Sequence, residues 1–158
     1  MKQTTAEAAR EQSHIDIVNN LQGILEKNYD AEEGYKEAML KADNSYLKDY
    51  LKNKAATRAT FATEISDIIL KLNETPKESG STKGSIHRTW MSIKDAFSSN
   101  SDEGILEECI RGDKASIEEY NEVMENQAFP VEITSVLTNQ LLQVKKSVND
   151  IKKIEDLF

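Results

Sequence analysis

Apolar residues recur every three or four positions along most of this chain, and few helix-breaking residues interrupt them. Such spacing places the apolar side chains on one face of an α-helix. Two prolines and six glycines occur in 158 residues, and no segment alternates apolar and polar residues as a half-buried strand would. The sequence therefore predicts an all-α protein built from long helices.

Breaks in this pattern divide the chain into helices at residues 73–84, 98–101 and 126–130. Clustered Gly, Pro or Ser marks each break. Four long helices are predicted, at about 13–43, 45–72, 102–126 and 130–158. A short amphipathic helix is predicted at 85–97. Residues 1–13 carry no large apolar residue after Met1, which predicts a flexible N-terminal tail, with a helical lead-in to the first helix as the alternative. Residues 14–158 are predicted to form one four-helix-bundle domain.

The long break after the second helix predicts the topology. Its twelve residues reach about 40 Å when extended, and the short helix adds roughly 20 Å. The first two helices are roughly 40–45 Å long, so the chain can travel the whole bundle length there. A single crossover of this kind, with its short extra helix, is typical of ferritin-like four-helix bundles. In the alternative, residues 85–97 pack across one end of the bundle as a fifth helix.

Charge and cysteine content exclude several classes of function. A net charge of −8 disfavours nucleic acid and anionic membranes as partners. Lysines on the last helix alternate with acidic residues, which predicts a solvated face. No apolar run approaches the roughly 20 residues of a membrane span. The one cysteine excludes an internal disulfide framework. A homodimer is the simplest assembly for such a bundle.

Polar residues interrupt the inward apolar stripe near the middle of every long helix. The candidate polar bundle core consists of Asn28, Glu32, Lys54, Arg58, Asp113 and Gln140. Burying any of the charged groups without a partner would cost several kcal/mol. An interior pair of Arg58 with Glu32 or with Asp113 is therefore predicted. In the alternative, the stripe drifts around the helices and these groups reach water.

Four strings of residues occur in a recognisable order along the chain. They are Asp30-Ala-Glu-Glu-Gly-Tyr35, Arg58-Ala-Thr-Phe-Ala-Thr-Glu64, Gly84-Ser-Ile-His-Arg-Thr-Trp90, and Ile105-Leu-Glu-Glu-Cys-Ile-Arg-Gly-Asp113 with Tyr120. Together they resemble a bacterial ferritin-like family of four-helix-bundle proteins that carries a domain of unknown function. The resemblance covers residues 14–125 and extends only loosely to the last helix. It implies a ferritin-like fold in a cytoplasmic bacterial protein, associated in some members with stress, and it implies no established reaction.

Ferritin-like bundles that bind two irons use a Glu from each of two helices and a Glu-x-x-His from each of the others. This chain offers only His14 and His87, and only the first follows a Glu at that spacing, in Glu11-Gln-Ser-His14. The resemblance further implies that Thr57, Ile110 and Val148 stand where relatives carry two carboxylates and a histidine. We therefore expect no cofactor. An iron or manganese site built on Glu32, Glu64 or Glu108 is the alternative.

Other candidate residues have simpler structural explanations. Cys109 adjoins the inward stripe and is expected to be a buried, inert thiol. Tyr35 and Tyr120 are expected at core positions with hydrogen-bonded hydroxyls, although tyrosines can also line a redox centre. The segment His87–Trp90 is expected to anchor the crossover through its tryptophan, with a small anion site as the alternative.

The sequence thus predicts a non-enzymatic ferritin-like helical bundle with an interaction or stress-related role. Two other classes of function stay open. One is a ferritin-like oxidoreductase or metal-storage protein that binds two iron or manganese ions. The other is a small-molecule carrier, which requires an enclosed apolar cavity between the helices. No catalytic, cofactor-binding or metal-ligating residue is assigned.

Overall fold

The structure, a computed structural model, describes residues 2–80 and 101–158. All regular secondary structure within these ranges is helical, which confirms the all-α prediction for them. The elements are α1 (Thr5–Lys41), α2 (Ser45–Lys71), α3 (Asp102–Asn126), α4 (Val131–Asp150) and a C-terminal 3-10 turn (Ile154–Leu157). The bounds of α2 and α3 agree with the sequence prediction. The predicted short helix at 85–97 and the segment His87–Trp90 lie outside the described residues.

Helix α1 begins at Thr5, so the start predicted at Ser13 is wrong. The hydroxyl of Thr4 accepts a hydrogen bond from the backbone N–H of Glu7 at 3.1 Å. In return, the carboxylate of Glu7 accepts one from the backbone N–H of Thr4 at 3.0 Å. This capping box stabilises a helix start within residues 1–13, where a tail was predicted. The side chains of this first stretch are exposed.

After α2 the chain turns back and follows α1. The side chain of Gln22 donates to the carbonyl of Thr75 at 2.8 Å and accepts from the N–H of Lys77 at 2.9 Å. The hydroxyl of Tyr29 donates to the carbonyl of Lys77 at 3.1 Å. Residues 75–77 therefore lie alongside α1, on the way to the end of the bundle where α1 passes into α2.

Helix α3 begins at that same end. Its first residue, Asp102, accepts hydrogen bonds from the backbone N–H groups of Asp43 and Asn44, both at 2.9 Å. At the opposite end of the bundle, the amide of Asn20 donates to Gln127 at 2.9 Å, just after α3. Helix α3 is consequently parallel to α2, while α1 and α2 are antiparallel. The connecting path through residues 81–100 lies outside the described part of the chain.

The last helix ends at Asp150, so its predicted continuation to Phe158 is wrong. The carboxylate of Asp156 accepts hydrogen bonds from the N–H groups of Lys152 and Lys153 at 2.9 and 3.2 Å. The N–H of Ile154 donates to Glu103 on α3 at 3.2 Å. These contacts replace helical hydrogen bonds and fold the terminus across the bundle end.

Two apolar clusters fill the bundle, and buried polar residues that include Asn28, Arg58 and Asp113 lie between them. The cluster near the α1–α2 turn is formed by Ala31, Tyr35, Ala38, Leu47, Leu51, Ile105, Leu106 and Cys109. The cluster at the opposite end is formed by Leu21, Ile24, Leu25, Ile65, Ile69, Ile133, Leu137 and Leu141. None of the helices in the described ranges is both long and apolar enough to cross a membrane.

Candidate functional site

A buried ion pair occupies the middle of the bundle. The guanidinium of Arg58 on α2 donates to one carboxylate oxygen of Asp113 on α3 at 2.8 Å. Both side chains are 2 % exposed. The same terminal nitrogen of Arg58 donates to the hydroxyl of Ser116 at 3.0 Å, and the other donates to the side-chain oxygen of Asn28 at 3.0 Å. Of the two partners predicted for Arg58, the structure pairs it with Asp113.

Lys54 brings a second cation to the same carboxylate. It lies one helical turn before Arg58 on α2, and its ammonium is 3.3 Å from the remaining oxygen of Asp113. The ammonium also donates to the hydroxyl of Ser147 on α4 at 2.6 Å and lies 5.7 Å from the ring centre of Tyr35. The three ionised groups of this cluster therefore carry a net charge of +1.

A line of neutral polar groups continues from Arg58 toward the other side of the bundle. The side-chain amide of Asn28 donates to the hydroxyl of Tyr120 at 2.9 Å, and that hydroxyl donates to Gln140 at 2.6 Å. The amide of Gln140 donates to Glu64 at 3.1 Å. All four long helices thus contribute to one connected network, which we call the polar layer.

Burial sets the protonation of several groups in and beside the polar layer. Burial lowers the pKa of Lys54, while the carboxylate of Asp113 opposes this shift. Burial also disfavours the charge of Arg58, but the carboxylate of Asp113 together with Tyr35 and Tyr120 outweighs burial, and the pKa of Arg58 is raised. Burial raises the pKa of Tyr120 to about 12. Burial raises the pKa of Cys109 well above its ordinary value, so the thiol stays protonated.

Glu32 is not part of the polar layer, which corrects the sequence prediction. It is half-buried on the surface of α1, where its carboxylate pairs with Lys36 at 2.6 Å. Past Asn28, the buried face of α1 continues through Ala31, Tyr35 and Ala38. Glu32 lies at the edge of that face and is only partly buried. The other five predicted residues are buried and connected through the polar layer.

The candidate core omitted several residues that the structure brings to the polar layer. Ser116 follows Asp113 by three positions, so helical spacing could have identified it. Glu64 was considered only as a metal ligand, although it accepts a hydrogen bond from Gln140. Ser147 and Tyr50, whose hydroxyls lie 3.1 Å apart, had no comparable signal because their position depends on how α4 packs against α2.

Candidate metal ligands are dispersed in the described part of the chain. No group of three or more His, Cys, Asp or Glu side chains that could hold a metal ion occurs among the described residues. Glu108 pairs with Arg111 at 2.8 Å, and Glu64 is engaged by Gln140. His14 lies near the start of α1 and contacts Glu74 at 3.1 Å, away from the bundle centre.

The space beside the buried guanidinium is very small. A cavity of about 10 Å³ is lined by Asn28, Arg58, Ser116, Glu119 and Tyr120, among others. This volume corresponds to about one water molecule. Within the described residues, the Nε of Arg58 has no hydrogen-bond partner. A single water at this place would satisfy that donor, whereas an organic ligand would not fit.

Removing the hydroxyl of Tyr120 is expected to destabilise the fold measurably. In Tyr120→Phe, the buried side-chain oxygen of Gln140 loses its donor and the amide nitrogen of Asn28 loses one of its two acceptors, which costs about 1–3 kcal/mol of unfolding free energy. Tyr29→Phe is the matched control, because its hydroxyl bonds a loop carbonyl near the surface and its loss is expected to cost under about 1 kcal/mol. Urea unfolding of both variants measures the difference, and equal losses would contradict a buried role for Tyr120.

Comparison with known proteins connects this site to a family. A family model described as a domain of unknown function (DUF2383) matches residues 16–126. The match runs from within α1 to the last residue of α3 and includes Asn28, Arg58, Asp113 and Tyr120, while α4 with Gln140 follows it. No curated protein matches the chain.

Proposed function

Because the chain belongs to the DUF2383 family, a domain of unknown function, we propose its function from the geometry of the bundle itself. It acts as a non-enzymatic, metal-free helical bundle of ferritin-like fold that binds other proteins through its surface. One observation carries the proposal. Two cationic side chains, Lys54 and Arg58, converge on the carboxylate of Asp113 in the bundle core, where ferritin-like proteins build their metal centres.

Electrostatics and ligand geometry both support a metal-free centre. Each oxygen of Asp113 already faces a positively charged side chain, at 2.8 Å for Arg58 and 3.3 Å for Lys54. A divalent ion at the same carboxylate would be repelled by both cations through a medium of low dielectric constant. It would also displace hydrogen bonds whose loss leaves buried charges unpaired.

The course of the chain supports the ferritin-like assignment. Helix α3 is parallel to α2, and the residues after α2 lie against α1 on the way back. A bundle with one long crossover has this order, whereas an up-and-down bundle alternates the direction of every helix. The resemblance adds a bacterial, cytoplasmic and stress-related setting to the same proposal.

Exposed apolar side chains support a role in protein binding. Leu40 is 76 % exposed, Val131 72 % and Phe158 69 %, and they lie at the ends of the bundle. Large apolar side chains in contact with water become favourable binding contacts when a partner covers them. The small cavity of the polar layer, in contrast, offers little space for a substrate.

Metal content tests the proposal directly. Protein purified from cells supplied with iron and manganese is expected to carry no stoichiometric metal by elemental analysis. Its unfolding temperature is expected to stay unchanged when ferrous iron, manganese or a chelator is added, because a ligand stabilises a fold only by binding it. The alternative proposal of a di-metal protein predicts about two ions per chain.

If the purified protein does carry stoichiometric metal, carboxylate variants identify the ligands. Stoichiometric metal that is lost in Glu32→Gln, Glu64→Gln or Glu108→Gln would overturn the metal-free proposal and identify a carboxylate site. Lys36→Gln serves as the control variant, because it removes a surface charge next to Glu32 and leaves every carboxylate in place.

A further inference from the structure

An open groove of about 560 Å³ lies between α3 and α4, outside the polar layer. Three half-buried apolar side chains line it: Ile110 and Ile117 from α3, and Val148 from α4. Exposed lysines also line it: Lys114 on α3, Lys145 on α4, and Lys152 just after the end of α4. We call this feature the basic groove.

The charge of the basic groove differs from that of the whole chain. None of its three ammonium groups forms an ion pair within the described residues, whereas the neighbouring Lys146 pairs with Asp150. The chain as a whole has a net charge of −8. The solvated face predicted from the alternating charges of α4 thus includes a local group of exposed lysines, of which Lys152 has the carboxylate of Asp156 nearby. Such a cluster attracts acidic groups of a partner.

The arrangement of these residues indicates the shape of the partner. Lys114 lies on α3 and Lys145 on α4, so both helices that border the groove contribute cations beside its apolar residues. A helix with an apolar stripe between two acidic flanks matches this arrangement, and its apolar side chains can cover Val148 and the isoleucines.

We propose that the basic groove binds an acidic amphipathic helix of a partner protein. This inference rests on the proposed interaction role and names the chemistry of the partner. Carboxylates on both flanks of the bound helix face Lys114 on one side and Lys145 and Lys152 on the other. The apolar stripe of the helix packs against Ile110, Ile117 and Val148.

Titration of the full chain with a designed peptide tests this inference. The probe is a helical peptide of about four turns with leucines on one face and glutamates on both flanks. We expect saturable amide chemical-shift changes in α3 and α4 around the groove, and weaker binding at higher salt. In the double variant Lys114→Glu/Lys145→Glu, affinity is expected to fall at least about tenfold.

The matched control is Lys48→Glu/Lys52→Glu. These exposed lysines lie on α2, outside the groove, and the double substitution changes the net charge by the same amount. Its affinity for the peptide is expected to stay within about twofold of the unchanged chain. Equal losses in the two double variants would overturn the inference, because they would reflect net charge alone.

Other outcomes also decide against it. Absence of peptide binding at about 1 mM would overturn it. Chemical-shift changes of the groove amides with decanoate but not with the peptide would also overturn it, since the occupant would then be an anionic lipid. A dimer of the chain that blocks the peptide and dissociates in Lys114→Glu/Lys145→Glu would assign the groove to a second copy. Metal content measured on the same sample keeps a failure here separate from a failure of the metal-free proposal.

Discussion

Replacing Asp113 by alanine is expected to lower the free energy of unfolding by about 3–5 kcal/mol. The substitution leaves the guanidinium of Arg58 and the ammonium of Lys54 without their shared carboxylate in the bundle core. An unpaired charge in a medium of low dielectric constant loses hydration without any compensating contact. Urea or thermal unfolding measures the loss, and unfolding of the variant at room temperature would agree with it.

Two further variants separate burial of the charge from loss of the contact. Replacing all three charged groups together, in Lys54→Met/Arg58→Met/Asp113→Leu, is expected to restore part of the stability, because well-packed apolar groups can substitute for buried ions. The control is Asp150→Ala, which breaks the exposed pair with Lys146 and is expected to cost under about 1 kcal/mol. A loss in Asp113→Ala as small as in this control would contradict the buried pair.

A large loss of stability is also expected at alkaline pH. Burial raises the pKa values of Tyr35, Tyr50, Tyr120 and Cys109 above those of the unfolded chain. Their stabilising contribution is complete below the unfolded values, roughly 9 to 10, and is lost as pH rises through the folded values. Lys54 acts in the opposite direction, since its lowered pKa makes stability rise as pH approaches its ordinary value. The four groups with raised pKa values outnumber Lys54, so the net expectation is a loss of stability at alkaline pH.

Circular dichroism and tyrosinate absorbance, recorded together, test this expectation. We expect the buried tyrosines to ionise in step with the loss of helix, because the folded state keeps them protonated. Cys109→Ala is expected to lose less stability between neutral and alkaline pH, whatever its stability at neutral pH. Ionisation of all tyrosines with the helices intact would contradict the expectation.

Helical periodicity correctly predicts most of the architecture, and it also locates the polar layer. Asn28, Arg58 and Asp113 were identified because each interrupts an otherwise apolar stripe. The same reasoning failed at Glu32, because the buried face of α1 continues past Asn28 through Ala31, Tyr35 and Ala38 and leaves Glu32 at its edge. It also failed at the start of α1 and at the end of α4, where local hydrogen bonds to the side chains of Thr4 and Asp156 set the helix bounds.

Each helix face follows from local sequence, because a side chain's place on a helix depends only on its position along that helix. The pairing of Arg58 with Asp113 instead of Glu32 depends on the relative rotation and height of α2 and α3. The participation of Ser147 depends on the packing of α4, and the basic groove depends on two helices distant in sequence. The chain's pattern therefore indicates most of the polar groups that are buried. The packing of the four helices selects their partners, since hydrogen bonds and close ion pairs form only when two groups lie within a few ångströms of each other.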